Sequence, residues 1–538
     1  MTSRLSFAVK KNFDLLLPIL SALLLLLTTY PFNLWPFAFV ALAPFFYFVY
    51  RTHGQHTTLF WGIFLVSFLP TLSAAYWNLS GFTLTPEAHL FQAVMRLLPI
   101  PLALFCGIIT GGIGVLAIRG ITFLKKSHEL TPLYLAFALP LFSTLIEVSV
   151  TMVSGFFSRG YDFSILAFSV HTLSSFVSLS AIGGIHFVSF VILAINAVIA
   201  ITFYTFFHHE GLPLKTRMLN CIPIAACTLG AVVFFGAGVF AYDNYLHHDQ
   251  PTSTISVALI QNADRWSGAF GSFDAAGTFQ YQKLEDLIES ARRSSPDIII
   301  YPYALADFTL SASSTLVSLD RDTAPLSSVT AWVAKTVPHA TFVAWNTTND
   351  AETLHDVVHA WQNGYLHASY TKEIVFPYMD YTPQWAKDRG FYTTRRDITG
   401  ATQQQSPILL DNMRLGSAIC SEITERDLVR ENAQGANIFL SVGSNAMFAN
   451  EMTDQFTLAS AQFRAAENNL PVIRADRSGP SAIIDQHGAI TSQMYSGQDG
   501  VLTSSFTFEN HPRTTLYHMT GDCLLIGICL GLLLLTLV

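Results

Sequence analysis

Long apolar runs constrain this chain more than any other feature of its sequence. A helix needs about 20 mostly apolar residues to cross the ~30 Å hydrocarbon core of a bilayer. Eight runs approach this length, near residues 14–30, 33–50, 57–77, 97–118, 132–150, 183–206, 219–241 and 521–538. Only 12% of the 538 residues are charged, against about 25% in soluble domains. The sequence therefore predicts a polytopic α-helical membrane base of about eight spans.

The charged residues are divided unevenly along the chain. Residues 1–241 hold 11 Lys or Arg and 6 Asp or Glu, whereas residues 242–538 hold 18 and 31. We therefore expect a seven-span membrane domain over 1–241, an acidic, water-exposed domain over 242–520, and an eighth span over 521–538. The sequence contains no basic patch and no nucleic-acid-binding motif, so no nucleic-acid partner is expected.

The distribution of positive residues predicts the orientation. With the N-terminus inside, the inner loops hold nine Lys or Arg, whereas the outer loops hold only Arg96 and Arg159. Seven crossings then place residues 242–520 outside, which in a Gram-negative cell is the periplasm. No A-x-A cleavage site follows the first run, so we interpret it as a retained anchor rather than a signal peptide.

Glu147 lies inside the fifth apolar run. A carboxylate within the membrane indicates a functional residue by default. A protonated or paired side chain at an interfacial helix end explains it equally simply. The sequence leaves both interpretations open.

The segment 242–520 alternates between strand and helix patterns. The run I-S-V-A-L-I-Q at 255–261 alternates apolar and polar residues, as a half-buried strand does. Asn363-Gly364, between two further strand patterns, is a strong hairpin signal. Such alternation over about 270 residues predicts one large layered α/β domain.

Cys420 is the only one of six cysteines that lies in the outer domain, so no disulfide can form within that domain. The strand pattern S-A-I-C ends at this residue and a helix pattern follows. A helix N-terminus lowers the pKa of a thiol, which favours a nucleophile; an inert core cysteine is the alternative. No C-x-x-C or H-E-x-x-H spacing is present and His247-His248 is expected to be solvated, so we predict neither a metal nor a cofactor.

Three motifs now point to a known family. They are Y-T-K-E-I-V-F-P-Y-M-D-Y at 370–381, G-S-A-I-C-S-E at 416–422 and R-A-A-E-N-N-L-P-V-I-R-A at 464–475. Together with the pattern of spans, they resemble the apolipoprotein N-acyltransferases, in which a nitrilase-like (carbon–nitrogen hydrolase) domain stands on a membrane base. The resemblance implies an α-β-β-α sandwich for the outer domain and a location in the bacterial inner membrane.

The resemblance also implies a reaction and its residues. The family transfers an acyl chain from a phospholipid to a cysteine thiol, and then to the amine of a diacylglyceryl-cysteine lipoprotein. Cys420 matches the nucleophile, Lys372 matches the lysine that stabilises the oxyanion, and Glu422 matches an acidic position just after the nucleophile. Asp380 occupies the position of a second family glutamate.

Two further positions are expected to contact substrate, again from the resemblance alone. Trp266 corresponds to a tryptophan of a substrate loop after the first strand. Ser421 follows the nucleophile, where the family commonly has an aromatic residue.

The chain departs from the family pattern at its general base. Tyr303 stands where the family has a glutamate, and a tyrosine with a pKa near ~10 is a poor base at neutral pH. Asn445 and Met447 replace a family aspartate and tryptophan. We expect Asp380 to substitute as the base. Two alternatives stay open, namely an impaired homologue that acts as a binding protein and a membrane-tethered amidohydrolase that uses the same thiol.

Overall fold

The structure of the protein is a computed structural model. The structure describes residues 14–52, 54–80, 97–124, 131–158, 165–208, 212–261, 286–302, 308–310, 316–318, 333–350, 353–377, 380–389, 397–445 and 451–537. Helices dominate before residue 248 and β-strands dominate between residues 252 and 509.

The helices of the N-terminal part confirm the predicted helical base. They are α1 (Leu16–Thr28), α2 (Ala43–Thr52), α3 (His56–Ser80), α4 (Pro99–Leu124), α5 (Pro132–Ser158), α6 (Ser174–Val177), α7 (Ser180–His208) and α8 (Leu214–His247), with 3₁₀ helices at Trp35–Phe39 and Leu166–Val170. Five of them, α3, α4, α5, α7 and α8, are long and apolar enough to cross a membrane. The total of eight spans and the three domain boundaries stay predictions.

The second apolar run does not form one spanning helix, so that expectation is wrong. Residues 33–50 are divided between the 3₁₀ helix Trp35–Phe39 and the beginning of α2, which has ten residues. At 1.5 Å per residue, α2 is about 15 Å long, roughly half the hydrocarbon thickness.

Asn196 of α7 satisfies the backbone at this break. Its side chain is fully buried, and its Oδ1 accepts hydrogen bonds from the amides of Leu42 (2.8 Å) and Ala43 (3.0 Å). Its Nδ2 donates to the carbonyls of Ala38 (2.8 Å) and Ile192 (2.9 Å). The first amides of a helix have no partner inside that helix. Asn196 supplies the hydrogen-bond acceptor that the surrounding apolar side chains lack.

Glu147 of α5 likewise has a structural partner set. Its Oε2 accepts a hydrogen bond from the amide of Leu166 (3.0 Å), where a 3₁₀ helix begins. Its Oε1 lies 2.7 Å from Nδ1 of the buried His186. Glu147 is therefore a paired side chain, as one of the two interpretations expected, but it lies inside α5 and not at a helix end.

The strands build two six-stranded sheets. They are β1 (Thr252–Gln261), β2 (Ile298–Tyr301), β3 (Phe308–Leu310), β4 (Leu316–Ser318), β5 (Thr341–Asp350), β6 (Thr353–Gln362), β7 (Tyr365–Thr371), β8 (Ile408–Leu410), β9 (Met413–Ile419), β10 (Ile438–Gly443), β11 (Val472–Asp476), β12 (Ser481–Ile484), β13 (Ile490–Met494) and β14 (Gly500–Glu509). The first sheet has the order β14-β1-β2-β5-β6-β7 and the second β13-β12-β11-β10-β9-β8, while β3 and β4 pair separately. Strands β1, β2 and β5 are parallel to one another, as are β9, β10 and β11.

Helices cover the outer face of each sheet. Further helices are α9 (Gln384–Lys387), α10 (Arg426–Asn432), α11 (Met452–Asn468), α12 (Leu516–Thr520) and α13 (Cys523–Leu537), and residues 286–292 and 333–336 are also helical. Between the sheets, Ile300 and Val358 share one core with Leu440 and Ile473. Residues of α10 and α11 pack on the outside of the second sheet, and helical residues such as Ile288 pack on the first. This is the expected α-β-β-α sandwich.

A hydrogen bond to a buried carboxylate joins the sandwich to the helical base. Helix α7 is interrupted at Gly183–Gly184, and Gly184 has a φ of +74°. The amide of Ile185, just after the interruption, donates to Oε1 of Glu467 in α11 (2.9 Å). Glu467 Oε2 lies 3.0 Å from Nε of Arg464, and both side chains are buried. A base helix thus depends on a carboxylate of the outer domain for one of its backbone partners.

We predict that Asn196→Leu destabilises the base. Each buried polar group left without a partner costs about 1–3 kcal/mol. This change removes the side-chain partner of the Leu42 amide and of the Ala38 carbonyl, whereas the Ala43 amide keeps its bond to the Val40 carbonyl (3.2 Å). The melting temperature of the protein in detergent should fall by several degrees. Thr202→Val is the matched control on α7, because the Thr202 hydroxyl donates to the Val198 carbonyl of its own helix. Equal melting temperatures for the two variants would contradict the role of Asn196.

Candidate active site

Cys420 occupies a strained turn between β9 and the 3₁₀ helix Cys420–Thr424. Its φ is +56°, a left-handed conformation that is unfavourable for a residue with a side chain. On the neighbouring strand, a Cβ on Gly443 would lie 2.8 Å from Oδ2 of Asp476, so the absence of a side chain at Gly443 lets this carboxylate lie close to the strand. The thiol is half-buried and touches the core between the two sheets. A tight turn at a strand end also carries the nucleophile of the α/β-hydrolases.

The surroundings raise the pKa of the Cys420 thiol to about 11. Burial is the main cause, and the carboxylates of Asp380 and Asp476 add to it, while the Lys372 ammonium and the Ser444 amide oppose it. The expectation that a helix N-terminus lowers this pKa is therefore wrong. The thiol is mostly protonated at neutral pH, so its activation requires a proton acceptor.

Lys372 presents its ammonium group to this thiol from the loop after β7. The side chain is 1% exposed, and its Nζ lies 2.5 Å from Oδ2 of Asp380. Burial alone would lower the pKa of Lys372, but the charges of Asp380, Cys420 and Asp356 outweigh it and raise the pKa. Lys372 is therefore held as a permanent cation beside the sulfur.

Asp380 is held in place by its own loop as well as by Lys372. Its Oδ2 also accepts a hydrogen bond from the Phe376 amide (2.7 Å), and its own amide donates to the Phe376 carbonyl (2.9 Å). Its carbonyl accepts from the Ile398 amide (2.8 Å). Of the carboxylates proposed from sequence, Asp380 has the direct contact with Lys372.

Asp356 on β6 is a further member of this cluster that sequence reasoning missed. It is 5% exposed and accepts a hydrogen bond from the Thr347 hydroxyl (2.9 Å). The backbone carbonyl of Asp356 accepts a hydrogen bond from the Lys372 amide (2.8 Å). Burial raises the pKa of Asp356 to about 6, with Lys372 lowering it and Asp380 raising it. The sequence did contain a signal for this residue. Residues two apart on a strand face the same side, and Val358 faces the core between the sheets, so Asp356 faces that core as well.

Glu422 connects the nucleophile turn to the lysine loop. The side chain is completely buried. Its Oε2 accepts from the Ile419 amide (2.8 Å) and the Tyr370 hydroxyl (3.0 Å), and its Oε1 from the amides of Glu373 (2.6 Å) and Ile374 (2.9 Å). Burial raises the pKa of Glu422 to about 7. Four donors occupy both oxygens, so Glu422 positions the site rather than exchanging protons with the thiol.

A second buried network supports the turn from the side of β11. Asp476 pairs with Arg474 (2.7 Å), and its Oδ1 accepts from the amides of Asn445 (3.1 Å) and Gly479 (2.8 Å). The Asn445 side chain donates to the Thr457 hydroxyl (3.1 Å). These bonds hold the segment that carries the Ser444 amide against the sulfur, where it can donate to an oxyanion.

The remaining predicted residues are not all brought into this cluster. Ser421 is 2% exposed, and its hydroxyl has no hydrogen-bond partner among the residues that the structure describes. Tyr303 and Trp266 lie outside the described residues. Their roles, like the substrate contact of Ser421, stay predictions.

Two family models match consecutive parts of this chain. Residues 257–510 match the carbon-nitrogen hydrolase family, so the sandwich that carries Cys420 and Lys372 is a domain of the nitrilase superfamily. Residues 21–198 match the N-terminal domain of apolipoprotein N-acyltransferase. The chain belongs to the apolipoprotein N-acyltransferase family and, with its long apolar helices, is a bacterial membrane protein.

Individual relatives align over shorter segments. The apolipoprotein N-acyltransferase of Pasteurella multocida is 30% identical over 170 residues, 31% of this chain and 32% of its own length. Apolipoprotein N-acyltransferase 1 of Treponema denticola is 35% identical over 114 residues, 21% of each chain. An amidase from Nesterenkonia sp. has a TM-score of 0.35 and 15% identity, covering 47% of this chain and 90% of its own. The chain thus spans about a third or less of the two curated relatives' lengths.

The charge balance around Cys420 predicts how fast it is alkylated. Below the pKa of the thiol, the thiolate fraction and the rate of reaction with N-ethylmaleimide should rise about tenfold per pH unit between pH 7 and 9. Lys372→Met removes the opposing cation, so the rate should fall at least about tenfold at each pH. Lys387→Met, which removes a cation paired with Asp397, should leave the rate unchanged. A rate independent of pH above 7 would contradict the raised pKa.

Proposed function

We propose that this protein transfers an acyl chain from a membrane phospholipid, through a thioester on Cys420, to the N-terminal amine of a diacylglyceryl-cysteine apolipoprotein. This is the last step of lipoprotein maturation. The observation that carries the proposal is the convergence of Cys420, Lys372 and Asp380 in a nitrilase-type sandwich that is joined to an apolar helical base.

In the first half-reaction, the sulfur of Cys420 attacks the ester carbonyl of the phospholipid. Asp380 takes the thiol proton, because its carboxylate is close enough to influence the sulfur and is held beside Lys372. The Lys372 ammonium and the Ser444 amide stabilise the oxyanion. The ester C–O bond then breaks, the leaving lysophospholipid oxygen takes the proton, and the acyl thioester remains on Cys420.

In the second half-reaction, the lipoprotein amine attacks the thioester carbonyl. The same two donors stabilise the second oxyanion, and Asp380 removes a proton from the amine. The C–S bond breaks, Cys420 leaves as a thiolate and recovers a proton, and the new amide is released. The thiol thus divides one difficult transfer into two easier steps.

Sidedness supports this choice of substrates. Positive residues concentrate in the loops predicted to be inside, which supports a position of the sandwich on the periplasmic face of the inner membrane. There, a phospholipid of the outer leaflet and a lipoprotein anchored by its diacylglyceryl group reach the same surface. Tyr303, at the position of the family's base, is not needed as a proton acceptor in this scheme.

Cys420→Ser should abolish both thioester formation and N-acylation, a loss of at least about 10³-fold, since a serine hydroxyl is harder to deprotonate than a thiol and is a weaker nucleophile. The measurement is mass spectrometry of a diacylglyceryl peptide incubated with phospholipid and the purified protein. Cys227→Ser, which changes an exposed cysteine of α8, should retain full activity. Free fatty acid without acylated peptide would instead establish a hydrolase, and the absence of any adduct on Cys420 would establish a non-catalytic protein.

The two aspartates of the cluster should differ in effect. Asp380→Asn removes the proton acceptor and should lower kcat by about 10²–10⁴-fold. Asp356→Asn removes only a charge that stabilises the ammonium of Lys372, so kcat should fall about tenfold with KM unchanged. Thr347→Val is the control that removes the hydrogen bond to Asp356 but not its charge.

The same kinetics can reject these assignments. A loss in Tyr303→Phe as large as that in Asp380→Asn would transfer the role of base to Tyr303. A larger loss in Asp356→Asn than in Asp380→Asn would transfer it to Asp356.

A further inference from the structure

A cluster of metal-ligating side chains lies away from Cys420, where the last helix of the base meets the sandwich. Asp243 and His247 belong to α8, and His487 lies in the turn between β12 and β13. One ligand atom from each of these three residues lies within 4.8 Å of the other two. The sequence spacing alone gives no sign of this, because His487 is 240 residues away from His247.

The separations within the cluster suit a small tetrahedral cation. Oδ1 of Asp243 lies 3.6 Å from Nε2 of His247 and 3.4 Å from Nδ1 of His487. Bonds of 2.0–2.1 Å at tetrahedral angles separate neighbouring zinc ligands by about 3.3 Å. Two imidazoles and one carboxylate are a frequent protein ligand set for zinc.

Glu509 orients one of the imidazoles. Its Oε1 lies 2.7 Å from Nδ1 of His247, and the glutamate is 8% exposed at the end of β14. A proton on Nδ1 that is shared with Glu509 leaves the lone pair of Nε2 directed to the side of Asp243. A carboxylate behind a ligating histidine is the usual second partner in zinc sites.

The backbone presents the ligands from ordered elements. Asp243 and His247 are four residues apart on a helix and therefore lie on one face. The turn that carries His487 is closed by Asp485, whose Oδ1 accepts hydrogen bonds from the amides of His487 and Ala489, both 2.9 Å. The centroids of the His247 and His487 imidazole rings lie 4.6 Å apart.

We propose that Asp243, His247 and His487 bind a zinc ion, with Glu509 as the positioning residue, and that the ion cross-links helix α8 of the base to the outer sandwich. Three protein ligands leave a fourth position for water. The ion has no part in acyl transfer, so the proposal does not depend on the proposed function.

The test is a zinc titration of the full-length, untagged protein in detergent, after removal of metals with a chelator. A chromophoric zinc chelator serves as the competitor. Wild type should bind one equivalent, and His247→Ala or His487→Ala should weaken the affinity at least about 100-fold. Glu509→Gln should weaken it about 10–100-fold. His248→Ala, which removes the exposed neighbouring histidine, should change nothing.

Two further readouts separate this site from adventitious binding. Cobalt(II) in place of zinc should give the strong visible absorption of a tetrahedral ion in wild type but not in His487→Ala. Zinc should raise the melting temperature of wild type but not of that variant. Equal zinc binding by wild type and His487→Ala, or no binding by wild type, would overturn the proposal. The cluster would then be a set of histidine–carboxylate pairs that binds no metal.

Discussion

The buried ammonium group of Lys372 is the constraint on which the arrangement around Cys420 depends. Removing an ammonium from water costs several kcal/mol unless carboxylates compensate for it. Asp380 does so by direct contact and Asp356 by its charge. Asp380 also contributes to the raised pKa of the nearby thiol. The resting nucleophile is therefore protonated, and the group that receives its proton is part of the structure that keeps Lys372 charged.

Glu422 makes this arrangement a property of the fold rather than of the loops alone. Its four hydrogen bonds connect the end of β9 to the end of β7 and the loop that follows it. Those two strands belong to different sheets. The relative position of the sulfur and the ammonium is thus set by how the sheets pack. A short polar connection inside an apolar core is specific because every unmatched donor there is costly.

The sequence predicted the layers of the outer domain well, but not the contacts that involve distant segments. Local patterns placed Cys420 at a strand end and Asn363-Gly364 in a hairpin turn, and both predictions are confirmed. The break in the second apolar run could not be foreseen, because it depends on Asn196, more than 150 residues away. The pKa of Cys420 was predicted in the wrong direction for a related reason, since burial and two carboxylates from other elements outweigh local helix geometry.

The replacement at Asn445 fits the same electrostatic balance. Asn445 is buried, its amide donates to Asp476, and its side chain donates to Thr457. The family resemblance leads us to expect an aspartate at this position. An ionised aspartate cannot donate the hydrogen bond that the Asn445 side chain donates to Thr457. It would also add a carboxylate to the Asp476 network, which already contributes to the raised pKa of Cys420. The amide keeps the network satisfied without further charge, so the departure from the family pattern at this residue is compatible with a working nucleophile.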